Sequence, residues 1–235
     1  MSSGHNNNGA TINMRYSAFL GIMYPATTEY NNAVDAAKAL VGDAAVKAGF
    51  TGKTGDSATA RAIDSIAKLK LSTENPVSGR LTSVSIRMKG VAGKEQPYLQ
   101  IGLRDDEKRV RYMLSLPTTG ASIPTLVRKL AACQPDQATK ISMFALYEKG
   151  NDGRMYGNHY VSVSQNGAKV AGLGLDDLIE RQKNSVAALK AIKMDSKDLV
   201  KKAKEQAVAD YVAEQVKAIE ERFTAHYEAK YSQPN

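Results

Sequence analysis

The sequence has one cysteine, no tryptophan and only three histidines, and each scarcity removes a class of explanation. A single cysteine, Cys133, allows no intrachain disulfide, so the chain needs no oxidising compartment and is expected to work in the cytoplasm. Cys133, His5, His159 and His226 have none of the spacings of a zinc site. No histidine lies near Cys133 to activate it as a nucleophile, so it is expected to be a buried, small apolar side chain. No apolar run approaches the roughly 20 residues of a membrane-spanning helix. The most apolar early stretch, residues 16–24, is broken by Ser17 and Gly21. Residues 1–10 are polar and Asn-rich, without the basic start of a signal peptide, and residues 1–12 are expected to be disordered.

Catalytic signatures are equally scarce. There is no GxSxG, no HExxH and no EF-hand loop. Gly52-Lys53-Thr54 looks like part of a phosphate loop, but that motif needs a glycine five residues before the Gly-Lys pair, and Lys47 stands there. Asp105-Asp106-Glu107 reads as a turn beside Lys108 and Arg109, since aspartate is an ordinary turn residue. The expectation is a protein without enzymatic activity, metal or cofactor.

What is present is charge of one sign in one place. The formal net charge is +8, and hydrophobic residues make up 43% of the chain, enough for a substantial core. Residues 1–79 hold seven Lys/Arg against six Asp/Glu, residues 171–235 eleven against eleven, and residues 80–170 fourteen against seven. The excess is therefore confined to the middle segment. A concentrated positive field attracts polyanions, whereas dispersed lysines chiefly confer solubility.

The hydrophobic pattern divides the chain in the same way. Residues 13–79 read as a mixed N-terminal segment, with a strand over 14–24, a helix over 29–48 and a short helix over 58–69. Residues 80–170 alternate with period two. In YLQIGLR (98–104), Leu99, Ile101 and Leu103 share one face. In RVRYMLSL (109–116), Val110, Tyr112, Leu114 and Leu116 oppose Arg109, Arg111, Met113 and Ser115. A helix over 122–132, with Ser122 as cap and Pro124 in its first turn, separates three such strands from two more, near 140–148 and 156–164. Strand-strand-strand-helix-strand-strand is the order of an OB-like fold, so the expectation is α+β: an OB-like antiparallel β-barrel or sheet with N-terminal helices and a long helical C-terminal region. That region, 171–235, reads as a helix over 176–194 and a second, capped by Asp195 or Ser196, running to about 231. Leu199, Ala203, Ala207, Tyr211, Ile219, Phe223 and Tyr227 form an apolar stripe on the second helix, expected to pack on the barrel or on another subunit of a homo-oligomer.

The outer faces of these strands place Arg87, Tyr98, Arg104, Arg109, Arg111 and Tyr160 together, and the loop between the last two strands adds Lys149, Arg154 and Tyr156. Cations interleaved with flat rings suit an unpaired nucleic-acid strand, because cations follow phosphates and rings stack on open bases. Arg104 has Asp106 and Glu107 close in sequence, whereas Arg109 and Arg111 have fewer acidic neighbours and are the best phosphate contacts. Tyr112 is assigned to the core. DNA and RNA are not separable from the sequence, since that choice turns on contacts at the 2′-OH.

The stretch YLQIGLRDDEKRVRYMLSLPTTGASIPTLVRKL (98–130) resembles bacteriophage single-stranded-DNA-binding proteins, and the layout of residues 80–170 with a helical tail is similar to that of phage proteins of this kind that act as cofactors of a phage-encoded RNA polymerase. The resemblance implies sequence-tolerant binding of single-stranded DNA in phage DNA metabolism, or, as an alternative, a transcription cofactor that assists an RNA polymerase at promoters. Replicative proteins of this kind usually end in an acidic tail. Residues 228–235 carry one acid against one base, a departure that leaves more room for the transcription reading.

Overall fold

The computed structural model describes residues 10–41, 58–91, 93–149, 151, 155–172 and 174–232, with the backbone alone at 58, 59, 147–149 and 155–157. Gly52-Lys53-Thr54, Arg154 and the end of the first expected helix lie outside the described residues. The elements run β1 (Ala10–Ser17), β2 (Ile22–Pro25), α1 (Thr28–Val41), α2 (Ala58–Lys68), β3 (Val77–Val91), β4 (Lys94–Asp105), β5 (Val110–Pro117), α3 (Ile123–Ala132), β6 (Ala138–Lys149), β7 (Met155–Gln165), β8 (Ala168–Lys169), α4 (Asp176–Ala191) and α5 (Lys197–Tyr231).

All eight strands join one sheet, in the order β2-β1-β5-β4-β3-β6-β7-β8. The expected three strands, helix and two strands are there as β3, β4, β5, α3, β6 and β7. Two features differ from an antiparallel five-stranded barrel. First, β1 adds to the free edge of β5 in parallel, with Ile12 opposite Tyr112 and Met14 opposite Leu114, which makes the sheet mixed. Second, the sheet does not close into a barrel. It curls until β2 lies against β6, where the Met143 N–H donates to Met23 Sδ at 3.0 Å in place of a strand ladder. β1 begins at Ala10, inside the stretch expected to be disordered: Ile12 and Met14 turn inward between Thr11, Asn13 and Arg15, an alternation too short to stand out behind an Asn-rich lead.

The inner face follows from the period-two pattern. Leu99, Ile101 and Leu103 are fully buried, opposite Ile86, Val84 and Leu81 of β3 and Leu116, Leu114 and Tyr112 of β5. Full burial of each leucine or isoleucine side chain contributes about 1.5–3 kcal/mol. Tyr112 is half-buried against the same cluster. Leu126, Val127 and Leu130 of α3 fill this core, and Cys133 is fully buried beneath them. Pro124 sits in the first turn of α3, but the Ser122 side chain makes no capping bond; Pro124, at the second helical position, has no N–H to offer it. A second, smaller core joins α1 and α2 to Leu20, Ile22 and Tyr24.

The expected apolar stripe of α5 packs on its own chain. Ala207, Tyr211, Val212, Val216, Ile219 and Phe223 are buried, and all but Ala207 belong to the main core. Ser196 caps the helix by accepting from the Leu199 N–H. Arg222 ties α5 to α3: its guanidinium donates to the carbonyls of Ala131 (2.6 Å), Cys133 (2.8 Å) and Leu130 (3.3 Å). A cation at the carbonyl end of a helix also complements its dipole. None of the described helices is long and apolar enough to cross a membrane.

Candidate nucleic-acid interface

On the outer face of the sheet, β-register places Arg80, Arg104 and Arg111 directly opposite one another on β3, β4 and β5, and Arg87 opposite Tyr98. Like charges in line across a sheet repel unless something neutralises them. Asp106 bridges two of the three and offsets one of their charges. It lies 2.6 Å from Arg80 Nε and 2.7 Å from Arg104 Nε, and its bond to Arg80 holds its carboxyl below the ordinary carboxylate range. Asp136 takes the other side of Arg80 at 2.6 Å and binds Lys230 of α5 at 2.6 Å. Arg87 and Arg111 have no acidic partner among the described residues.

Beside this row runs a groove of about 1200 Å³ between the outer face and the C-terminal half of α5. Its floor includes Ser83, Ser85, Arg87, Gln100 and Arg111, and its helical wall includes Lys217, Glu220, Glu221, Tyr227, Glu228 and Tyr231. Ser83 and Ser85 are the small side chains of this floor. At Gly102, a Cβ would stand 2.5 Å from Ser83 Oγ, 2.9 Å from Thr82 Oγ1 and 3.3 Å from Arg111 Nη2, so a larger residue there would have to displace these side chains. A β-bulge between Leu81 and Ser83 inserts Thr82 at this edge, and bulges commonly re-aim a strand beside a functional site. The hydroxyls of Thr82 and Tyr227, both of which line the groove, are buried without a partner among the described residues.

The residues expected from sequence are only partly gathered here. Arg87 and Arg111 line the groove, whereas Arg104 shares the face but is held by Asp106. Tyr98 shares the face too, with Lys89 Nζ 5.3 Å from its ring centre. Lys89, unmarked by sequence reasoning, also donates to Ser115 Oγ at 2.6 Å. Arg109 is not on a strand at all. It ends the β4–β5 turn with φ 53°, a left-handed conformation that reverses the chain, and β5 starts one residue later. The turn reading of Asp105 holds, since its side chain accepts from the Lys108 N–H at 3.0 Å.

Tyr160 lies on the β6–β7 hairpin, outside the groove, with its ring stacked on Phe144 at 5.8 Å. Lys149 and Tyr156 belong to the same hairpin, with only their backbones described. Cys133 is unsuited to nucleophilic chemistry: burial pushes its thiol up to about 11, so the thiolate is scarce at neutral pH. Among the described residues no group of three or more His, Cys, Asp or Glu could hold a metal ion. Sequence reasoning missed the helical wall, because Tyr227 read as part of a buried stripe and Tyr231 as the end of a helix. No protein-family model, curated protein or solved structure matches the chain.

Proposed function

We propose that the groove between the sheet and α5 binds single-stranded DNA. The observation that carries this is that Arg87 and Arg111, cations without acidic partners among the described residues, both line an open groove with a polar floor. The groove exceeds the roughly 300–1000 Å³ of ordinary small-molecule sites, which favours a stretch of polymer. Phosphates engage the arginines, and unpaired bases meet aromatic rings. A duplex hides its base faces and gains little from the rings. The order β5-β4-β3-β6-β7 keeps the meander and return strand of an OB-like arrangement, with β1 on the edge that closure would need. The reading agrees with the resemblance to phage single-stranded-DNA-binding proteins and with a place in the host cytoplasm. It requires no enzymatic step and no cofactor.

The alternative, a cofactor that contacts an RNA polymerase through the helical region, is supported by Ile179, Ile192 and Met194, which stand exposed on α4 and in the turn after it. Further copies of this chain are the competing occupant of those residues.

The test is binding of a labelled mixed-sequence strand of about 30 nucleotides, against the matching duplex and RNA, across a salt series. A steep salt dependence with preference for single-stranded DNA is expected. Equal binding to all three reduces the groove to a basic patch, and no binding refutes the proposal.

A further inference from the structure

The two walls of the groove differ in charge. The sheet side presents Arg87 and Arg111, whereas the helix side carries Glu220, Glu221 and Glu228 against Lys217, and Lys217 already lies 4.0 Å from Glu221. A single strand is two-sided in the same sense, with an anionic backbone along one edge and neutral, flat bases along the other. Phosphates are repelled by the carboxylates and attracted by the arginines, while base amino groups can donate to carboxylates.

The helix side also carries the ring that bases need. Tyr227 and Tyr231, one helical turn apart, stack with centroids 6.3 Å apart and planes 17° from parallel. Tyr227 is half-buried against the core, and Tyr231, 78% exposed, keeps its outer face open. The end of the helix is held in place, because Lys230 binds Asp136 and Asp136 binds Arg80. A ring positioned in advance costs little entropy to use. The tyrosines expected from sequence are less suited: Tyr98 lies beneath Lys89, and Tyr160 stacks on Phe144.

We infer that Tyr231, backed by Tyr227, is the base-stacking platform of the groove, so that a bound strand runs with phosphates toward the sheet and bases toward α5. This rests on the single-strand reading above. The absence of tryptophan makes a direct test available in the full-length protein, because Tyr231→Trp installs a lone indole at the platform. Titration with single-stranded DNA, followed in parallel by anisotropy of a label on the DNA, should quench the indole as binding proceeds. Tyr231→Ala should weaken binding roughly fivefold or more and leave the salt slope unchanged, whereas Arg111→Ala should flatten the slope. If the strand binds but the indole is not quenched and Tyr231→Ala binds as the parent does, the platform is elsewhere and the single-strand reading survives. If no strand binds the unmodified protein, both fall.

Discussion

Removing Arg87 and Arg111 together probes the groove most directly. Each phosphate neutralised on a single strand contributes about 0.7 to the slope of log affinity against log salt. Two arginines without acidic partners among the described residues therefore account for about 1.4. Between roughly 50 and 200 mM salt, a fourfold change, the parent should lose about sevenfold more affinity than Arg87→Ala/Arg111→Ala. Arg104→Ala is the internal comparison. Its guanidinium is already 2.7 Å from Asp106, so it has little charge to offer, and its loss should barely move the slope. Asp106→Ala frees Arg104 and should steepen the slope by about 0.7. The assay is fluorescence anisotropy of a labelled strand, with circular dichroism confirming that each variant is folded. Unchanged slope in the double variant, or an Arg104→Ala effect as large as that of Arg111→Ala, refutes the assignment of free and neutralised arginines.

Two further expectations concern stability. Arg222→Ala removes three charge-assisted hydrogen bonds from the carbonyls that end α3 and should cost about 2 kcal/mol, a fall in Tm of roughly 4–8 °C by thermal denaturation; a Tm unchanged within error would show that α3 does not depend on this contact. His159 Nδ1 lies 2.7 Å from the Tyr16 hydroxyl, and burial lowers its pKa below the ordinary 6.5. The unfolded chain therefore takes up the proton first, so the stability contributed by the neutral ring is present above about 6.5 and is lost as pH falls through the lowered value. The urea midpoint should drop over that window in the parent and less in His159→Gln, and equal pH profiles would assign the loss to other groups.

Much of the sheet was legible in the sequence because strand faces are a local property. Alternation at Leu99, Ile101 and Leu103 is set by the two-residue repeat of the backbone, so burial follows from spacing alone. The same holds for the buried stripe of α5 and for the turn at Asp105, whose side chain bonds a backbone three residues on. Where the local signal was short or misleading, the reading failed: the start of β1 lies in the stretch expected to be disordered, the expected strand over 14–24 divides into β1 and β2, and Arg109 continues the strand alternation while its backbone has already turned to positive φ.

The sequence by itself determined the central strands and the helices of residues 80–231, which face of each is apolar, and that positive charge gathers in residues 80–170. Tertiary structure alone decided which of those charges remain available. Asp106 neutralises Arg104 from two residues away, but Arg80 is also held by Asp136, fifty-six residues distant, and Asp136 in turn by Lys230, ninety-four residues away. The aromatic wall opposite Arg111 likewise comes from the far end of the chain. Periodicity reports the direction a side chain points from its own backbone; what stands opposite is set by packing between distant elements, which no local pattern encodes.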